Sequence, residues 1–430
     1  MLNFFLRKTS SIGWIVWSLG SIYFLTEYFI RVSTGVLSPS LLKEFHTDAY
    51  SIGLLSSCFY YSYIGMQIPV GLLVDRLGVR RLLSSSTIIF GVACILFASM
   101  QTLSLGYVSR FIMGFVGAFA FISTLKLITI YFPANKFASL AGITQSGGMV
   151  GAIIGAAPMA YLFEWIGWRV AFIYFGIMFI ILGLLMLALI RDQVTEDIEA
   201  LHEVASLWLD LKVVLSSKQT WLNCLYIGLI YAPTEVFGEQ WGTLFLNVAG
   251  NYIGVKQAAF QVGFIFIGMA IGCPLIGHVA DRLGTVKVMR ICSIACLIFM
   301  GCIIYGRLIY PDLNYSSVCA LNFIYGIFAA AIIPSYALAT EINPKRTAGV
   351  ALGITNMVTV MIGAAFIPII GKILDVASKL NPVHIGLTTH DHNYTIENFY
   401  IAFSILPVCS VCCFMLTFLL KDPPKNHNNL

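Results

Sequence analysis

The chain has 430 residues, of which 59% are hydrophobic and only 10% charged, with a mean hydropathy of +0.87. Soluble domains carry about 25% charged residues, so this composition excludes a soluble protein and requires a polytopic membrane one. The net charge of +5 predicts no nucleic-acid partner, because the basic residues are sorted by loop rather than clustered.

At about 20 residues per crossing, the apolar runs predict twelve spans, near 12–37, 50–74, 83–101, 104–132, 138–163, 168–190, 219–247, 257–280, 287–306, 316–340, 347–375 and 399–420. The expected fold class is an all-α membrane protein. Residues 1–191 form one six-helix bundle and 218–430 another, joined by a linker over 192–217. The first apolar run is too long for a signal-peptide core and has no small-residue cleavage site, so it is expected to be retained. With the N-terminus in the cytoplasm, sixteen Lys and Arg fall on that side and six on the other. That asymmetry predicts cytoplasmic termini. All eleven cysteines lie in predicted spans, where cysteine behaves as a small hydrophobe. No disulfide framework, metal site or other cofactor is predicted.

In chain order, helix 1 carries Tyr23, Glu27 and Arg31 as a polar stripe, four residues apart and so on one face. Charges at this depth are costly and face a cavity or a partner. Helix 2 adds Tyr60, Tyr61, Tyr63 and Gln67. It runs into Gly71-Leu-Leu-Val-Asp75-Arg76-Leu-Gly78-Val-Arg80-Arg81, a basic hairpin between apolar runs. Gly78 suits a turn that needs positive φ. Asp75 lies where a charge beside a helix N-terminus can lock two bundles together. Helix 4 contributes Arg110 and, nearer its end, Lys126, either a cavity residue or a snorkelling one. Helix 5 presents Gly142, Gly147, Gly148, Gly151 and Gly155, with Gln145 as a candidate pore residue.

The linker carries Asp192, Glu196, Asp197, Glu199 and Glu203 ahead of Leu207, Trp208, Leu211 and Val214, an amphipathic pattern suited to the membrane surface. Helix 7 holds Tyr231, Pro233, Glu235 and Glu239. Pro233 removes a backbone hydrogen bond and permits a hinge. The two glutamates share a helical face, so one is protonated or a cation lies nearby. Gln261, Asn322, Tyr325, Tyr336 and Asn356 are candidate pore-lining groups on helices 8, 10 and 11, each equally able to bond a neighbouring helix. Glu341 reads as a gate charge. His390 and His392 lack further ligands, and no metal is predicted there.

The halves repeat. Gly277, Asp281, Arg282 and Gly284 match Gly71, Asp75, Arg76 and Gly78 at an offset of 206, and Pro344 with Gly353-Ile-Thr matches Pro133 with Gly142-Ile-Thr at 211. Duplicated halves with a mid-membrane site between them are the alternating-access design.

The paired Asp-Arg-Leu-Gly loops resemble the signature of the major facilitator superfamily. Arg110-Phe-Ile-Met-Gly-Phe-Val-Gly-Ala is similar to that family's fourth-helix motif, with Met113 where glutamine is usual. The stretches Glu27-Tyr-Phe-Ile-Arg31-Val-Ser, Tyr60-Tyr-Ser-Tyr63 and Met66-Gln-Ile-Pro-Val-Gly-Leu-Leu-Val-Asp75-Arg resemble a narrower group, with Thr34 where that group has proline. It comprises the phagosomal amino-acid and nucleoside transporters of intracellular gammaproteobacteria, akin to the lysosomal dipeptide transporter. The resemblance implies a monomeric transporter of the bacterial inner membrane, and proton coupling that involves Arg110.

The residues add their own reading. Arg31, Arg110 and Lys126 from the first half and Glu235 and Glu239 from the second suit a zwitterion held across the halves. The expected substrate is an amino acid or short peptide, bound by Tyr23, Glu27, Arg31, Tyr60, Tyr63, Lys126, Tyr231, Glu235 and Tyr325. Protons are the candidate coupling ion, through Glu27, Arg110, Glu235 and Glu239. The two loop motifs, with Arg80, form the expected cytoplasmic gate. The rivals are an organic-anion or sugar-phosphate symporter and a non-transporting sensor. An enzyme is disfavoured, because no span holds a metal-ligand set or a nucleophile–base pair.

Overall fold

The computed structural model describes residues 11–133, 136–191, 209–250, 253–311, 313–380 and 394–421, except for the side chains at 71, 72, 75, 76, 137, 138 and 345. The first half consists of α1 (Ser11–Glu44), α2 (Ala49–Met66 continued by Pro69–Leu77), α3 (Val79–Ala98), α4 (Leu103–Tyr131), α5 (Phe137–Gly155 continued by Ala157–Ile166) and α6 (Trp168–Leu189). The second consists of α7 (Lys218–Pro233, a π-helical stretch Thr234–Trp241, then Gly242–Ala249), α8 (Val255–Leu283), α9 (Thr285–Ile309), α10 (Tyr315–Glu341), α11 (Ala348–Leu380) and α12 (Ile396–Leu416).

Eight of these are long and apolar enough to cross a membrane unaided, and α5 makes a ninth with a 47° bend. The bend follows Gly155, just before Pro158, whose ring crowds the preceding turn and donates no hydrogen bond. The other three, α1, α2 and α7, fall short by that measure. In α1 and α7 the apolar runs are diluted by Glu27, Arg31, Glu235 and Glu239, and α2 breaks ahead of Pro69. Nine and three make the twelve crossings.

The duplication is visible in the backbone. Gly78 closes α2 at φ 83°, ψ 144°, and Gly284 closes α8 at φ 100°, ψ 138°. That left-handed region strains any residue with a Cβ. Both turns lie on what is called here the loop-motif face. Asp75 and Arg76 lie outside the described side chains, as do 192–208 of the predicted linker and His390 and His392 outside the described residues. In the described remainder of the linker, 209–217, residues 209–216 are helical. This segment packs on the second half rather than lying free: Val214 is buried with Cys224 of α7 and Ala351, Ile354 and Val358 of α11, and Asp210 pairs with Arg346 at 2.9 Å.

The halves meet through α1 against α7, α2 against α11 and α5 against α8. On the face opposite the loop motifs, the far face, the contact is close. Asp375 of α11 accepts from the Ala49 and Tyr50 N–H groups that open α2, both at 2.9 Å, and from the Tyr394 hydroxyl at 2.6 Å. A carboxylate at a helix N-terminus also meets the positive end of the helix dipole. Ser57 Oγ donates to Ala364 O at 2.7 Å, and a Cβ on Gly53 would press on Ile367 and Pro368 at 2.9 Å. Towards the loop-motif face, a Cβ added at Gly142 or Gly147 of α5, or at Gly349 or Gly353 of α11, meets nothing within 4 Å. The described contacts between the halves are thus closest at the far face, and towards the loop-motif face they are sparser, with Asn356 of α11 bonding Gln67 of α2 at 3.0 Å.

Candidate functional site

Helices α1, α2 and α7, the three that fall short of a full apolar span, converge at the centre. Gly35 of α1 lies so close to α7 that an added Cβ would collide with the Glu239 carbonyl oxygen and approach that of Gln240 at 2.9 Å. One turn earlier on the same face, Arg31 reaches Glu239: its Nε is 3.4 Å from Oε2 and its Nη2 donates to Oε1 at 3.4 Å. Tyr231 of α7 donates to Oε1 at 3.1 Å, and Tyr60 of α2 donates to Oε2. The guanidinium of Arg31 stands 3.7 Å from the Tyr28 ring centre and 5.7 Å from that of Tyr60, distances at which cation–π attraction acts. Both members of the ion pair are almost wholly buried, at 4% and 1% side-chain exposure. At that burial the pair persists only because each charge has its partner and the remaining donors are nearby.

The segment carrying Glu239 is not an α-helix. After Pro233, which has no N–H to give, residues Thr234–Trp241 wind as a π-helix, and the Gly242 N–H returns to Phe237 O, five residues back. Such turns are rare and concentrate at functional sites. This one is tied down on both sides. Trp241 Nε1 donates to Ile367 O of α11 at 3.0 Å, while Gln240 accepts from Ser56 Oγ at 2.5 Å and donates to Ser38 Oγ at 2.9 Å.

Around this pair stand charged groups with less support. Arg110 of α4 is fully buried, gives Nη1 to Ile30 O at 3.4 Å and lies 4.8 Å over Phe59, while its Nε and Nη2 have no hydrogen-bond partner. Glu27 Oε1 and both carboxyl oxygens of Glu235 are likewise buried without one. Glu27 faces Arg31, Glu239 and Arg110; Glu235 faces Glu239 and Arg31, and lies against Gly363 of α11. Two guanidiniums and three carboxyl groups thus share one buried centre between the halves. Buried polar atoms left unmatched are costly in a protein interior and in a membrane mark substrate or ion paths.

A profile described as Major Facilitator Superfamily matches residues 16–368. The chain belongs to the major facilitator superfamily. A relative from Bacillus subtilis, the uncharacterized transporter YybO, is 33% identical over 170 residues, covering 40% of this chain and 39% of YybO. The probable galactarate/D-glucarate transporter GudP of Escherichia coli is 23% identical over 429 residues, covering 89% of this chain and 92% of GudP. Among solved structures, a bacterial homologue of the human lysosomal transporter Spinster, in an inward-facing and occupied conformation, superposes with a TM-score of 0.78 at 16% identity. That match covers 96% of this chain and 97% of the other.

In this major facilitator chain the predicted site residues divide. Arg31, Tyr60, Tyr231 and Glu239 are in direct contact, with Glu27, Arg110 and Glu235 around them. Tyr63, stacked on Phe59 at 6.1 Å, stands one turn below Tyr60. Tyr23 is placed elsewhere: its hydroxyl donates to Val116 O at 3.1 Å and its ring lies edge-on to Phe90 and Phe179, inside the first bundle. Tyr325 bonds Thr234 at 3.1 Å, beside Glu235. Lys126 is not brought to the cluster. It lies nine residues beyond Gly117, the α4 residue that packs on Glu27, about 13 Å nearer the loop-motif face at 1.5 Å per residue. Gln67, Asn356 and Tyr336, all half-buried, bond one another across the two halves: Asn356 Nδ2 donates to Gln67 Oε1 at 3.0 Å and Tyr336 to Asn356 Oδ1 at 2.8 Å. In the loop motifs, Arg80 Nε holds Leu187 O at 2.9 Å, Gly277 lies against Ile333, and Asp281 and Arg282 are exposed.

Sequence reasoning passed over Tyr28, Ser38, Ser56, Gln240 and Asp375. Ser38 follows Arg31 by seven residues and so continues its stripe, a signal that was present. Asp375 was an isolated acid near the end of an apolar helix, which the cost of such charges should have marked. Asp375→Asn removes one charged acceptor from the N-terminus of α2, where bonds to charged groups contribute about 1.5–3 kcal/mol. Far-side thiol labelling of a Ser57→Cys reporter is therefore expected to quicken in this variant. An unchanged labelling rate would show that the clasp does not depend on the carboxylate.

Proposed function

We propose that this chain is a secondary transporter that moves a small carboxylate-bearing nutrient by alternating access, and that the substrate class is a zwitterion, an amino acid or a short peptide. The observation that supports it most is the division of charge. Guanidiniums Arg31 and Arg110 belong to the first half, together with the single carboxyl of Glu27, whereas Glu235 and Glu239 of the second half stand without a cation of their own among the described residues of the cluster, and Glu235 has no donor on either oxygen. A zwitterion answers both sides, its carboxylate on the guanidiniums and its ammonium on Glu235, through charge-assisted bonds made stronger by the low dielectric. A ligand that touches both halves favours the state in which they close on it. The resemblance of helices 1 and 2 to amino-acid transporters points the same way. The same proposal covers a bacterial inner-membrane location with cytoplasmic termini, a monomeric unit, and proton movement through Glu27, Arg110, Glu235 and Glu239.

A second reading, an organic-anion symporter, is favoured by the name of GudP. There a proton on Glu235 would take the place of the ammonium group. Uptake of labelled alanine, alanyl-alanine, galactarate and a hexose phosphate into proteoliposomes separates the two. The first reading expects alanine or the dipeptide to enter and Glu235→Gln to abolish that entry. Uptake of galactarate or hexose phosphate alone would transfer support to the second, and uptake of none would remove both.

A further inference from the structure

Glu239 accepts from three donors, Nη2 of Arg31 and the Tyr231 and Tyr60 hydroxyls, and Arg31 Nε stands 3.4 Å from its Oε2 as an ion-pair contact without a hydrogen bond. A planar guanidinium beside two phenols is a receptor for any small carboxylate, with nothing in it particular to a glutamate side chain. The two Arg31 contacts, at 3.4 Å, exceed the about 2.7–2.9 Å of a well-formed charge-assisted bond. A carboxylate free of a backbone tether can therefore approach more closely than Glu239 does. Displacement would require the tether to yield: Glu239 rides on the π-helical turn behind Pro233, a geometry that is rare and concentrates at functional sites, and a change in that turn would have to release the Gln240 and Trp241 bonds.

We infer that the Glu239 carboxylate is a tethered stand-in for the substrate's own carboxylate, filling the subsite of Arg31, Tyr60 and Tyr231 until an incoming substrate displaces it. The inference rests on the reading that the substrate carries a carboxylate. The exchange leaves the cradle's charge unchanged, one carboxylate departing as another arrives. Glu239, once displaced, lies beside Glu235, and the two together can receive the substrate's ammonium group. Arg31 belongs to α1 and Glu239 to α7, so the same exchange opens the ion pair between the halves. Loading the site and loosening the bundle become one event.

The test is thermal unfolding of purified Glu239→Ala and Glu239→Gln proteins with acetate, glycine, glycinamide and chloride as probes. If the cradle is a carboxylate subsite, acetate and glycine raise the Tm of Glu239→Ala by several degrees, and raise that of wild type less, because there Glu239 competes. Glycinamide and chloride leave it unchanged. Glu239→Gln, which keeps the side chain's shape, is expected to bind glycine at least tenfold more tightly than wild type and serves should the alanine variant not fold. A shift of equal size with glycinamide or chloride, or no shift in either variant, would overturn the inference. Wild-type uptake measured in parallel keeps the two readings apart. If alanine still enters vesicles while the variants ignore carboxylates, only the stand-in role falls.

Discussion

Arg31→Ala is expected to lower the initial rate of uptake by between about two and four decades. Arg31 holds Glu239 across the halves, and removing one partner of a buried pair costs about 3–5 kcal/mol, at one decade per about 1.36 kcal/mol. The loss falls twice on the proposed cycle, because the same guanidinium is the proposed anchor for substrate and the observed tie between α1 and α7. Arg31→Lys should retain part of the rate: it keeps the charge and gives up the planar fork that meets both carboxylate oxygens. Rates from proteoliposomes matched for protein content decide this. A value within threefold of wild type for the alanine variant would remove Arg31 from the centre of the account.

The second large effect comes from a residue without a side chain. Gly35 lets α1 approach the backbone of Glu239 and Gln240, and any Cβ there meets carbonyl oxygens that have no rotamer to yield. Gly35→Val should therefore oppose the far-side clasp while leaving each bundle intact. Overpacking costs about 1–3 kcal/mol, which moves a two-state balance by about 5- to 150-fold. The Ser57→Cys reporter, buried at the same interface beside Ala364, is expected to label from the far side faster by a factor in that range. Labelling at the wild-type rate would mean that the approach at Gly35 does not set the balance.

Much of this was legible in the sequence. The twelve apolar runs gave the crossings, and the two Asp-Arg-Leu-Gly loops gave the repeat because a positive-φ glycine leaves a mark that survives duplication. Glu27 and Arg31 were visible as charges on one helical face, and Glu235 and Glu239 as acids needing a proton or a cation. What the sequence does not contain is which helices meet. Arg31 and Glu239 stand 208 residues apart, and their contact depends on the packing of the bundles, to which local periodicity is blind. The π-helical turn was hidden for a related reason. Pro233 announces a break in α-helical bonding, but whether the chain kinks or widens is settled by Trp241 on Ile367 and Gln240 on Ser38 and Ser56. Lys126 shows the converse: an intramembrane charge by composition, it sits too far along α4 to join the cluster.

The central claim is that two homologous bundles pivot about one shared polar centre. Paired spin labels measure it most directly, one pair at Arg81→Cys and Lys287→Cys on the loop-motif face and the other at Ser99→Cys and Leu308→Cys on the far face, all exposed positions. During turnover of a transported substrate, the account predicts that a population appears in which the first distance is shorter and the second longer. Distances that change together in the same direction, or that stay fixed while substrate crosses, would contradict it.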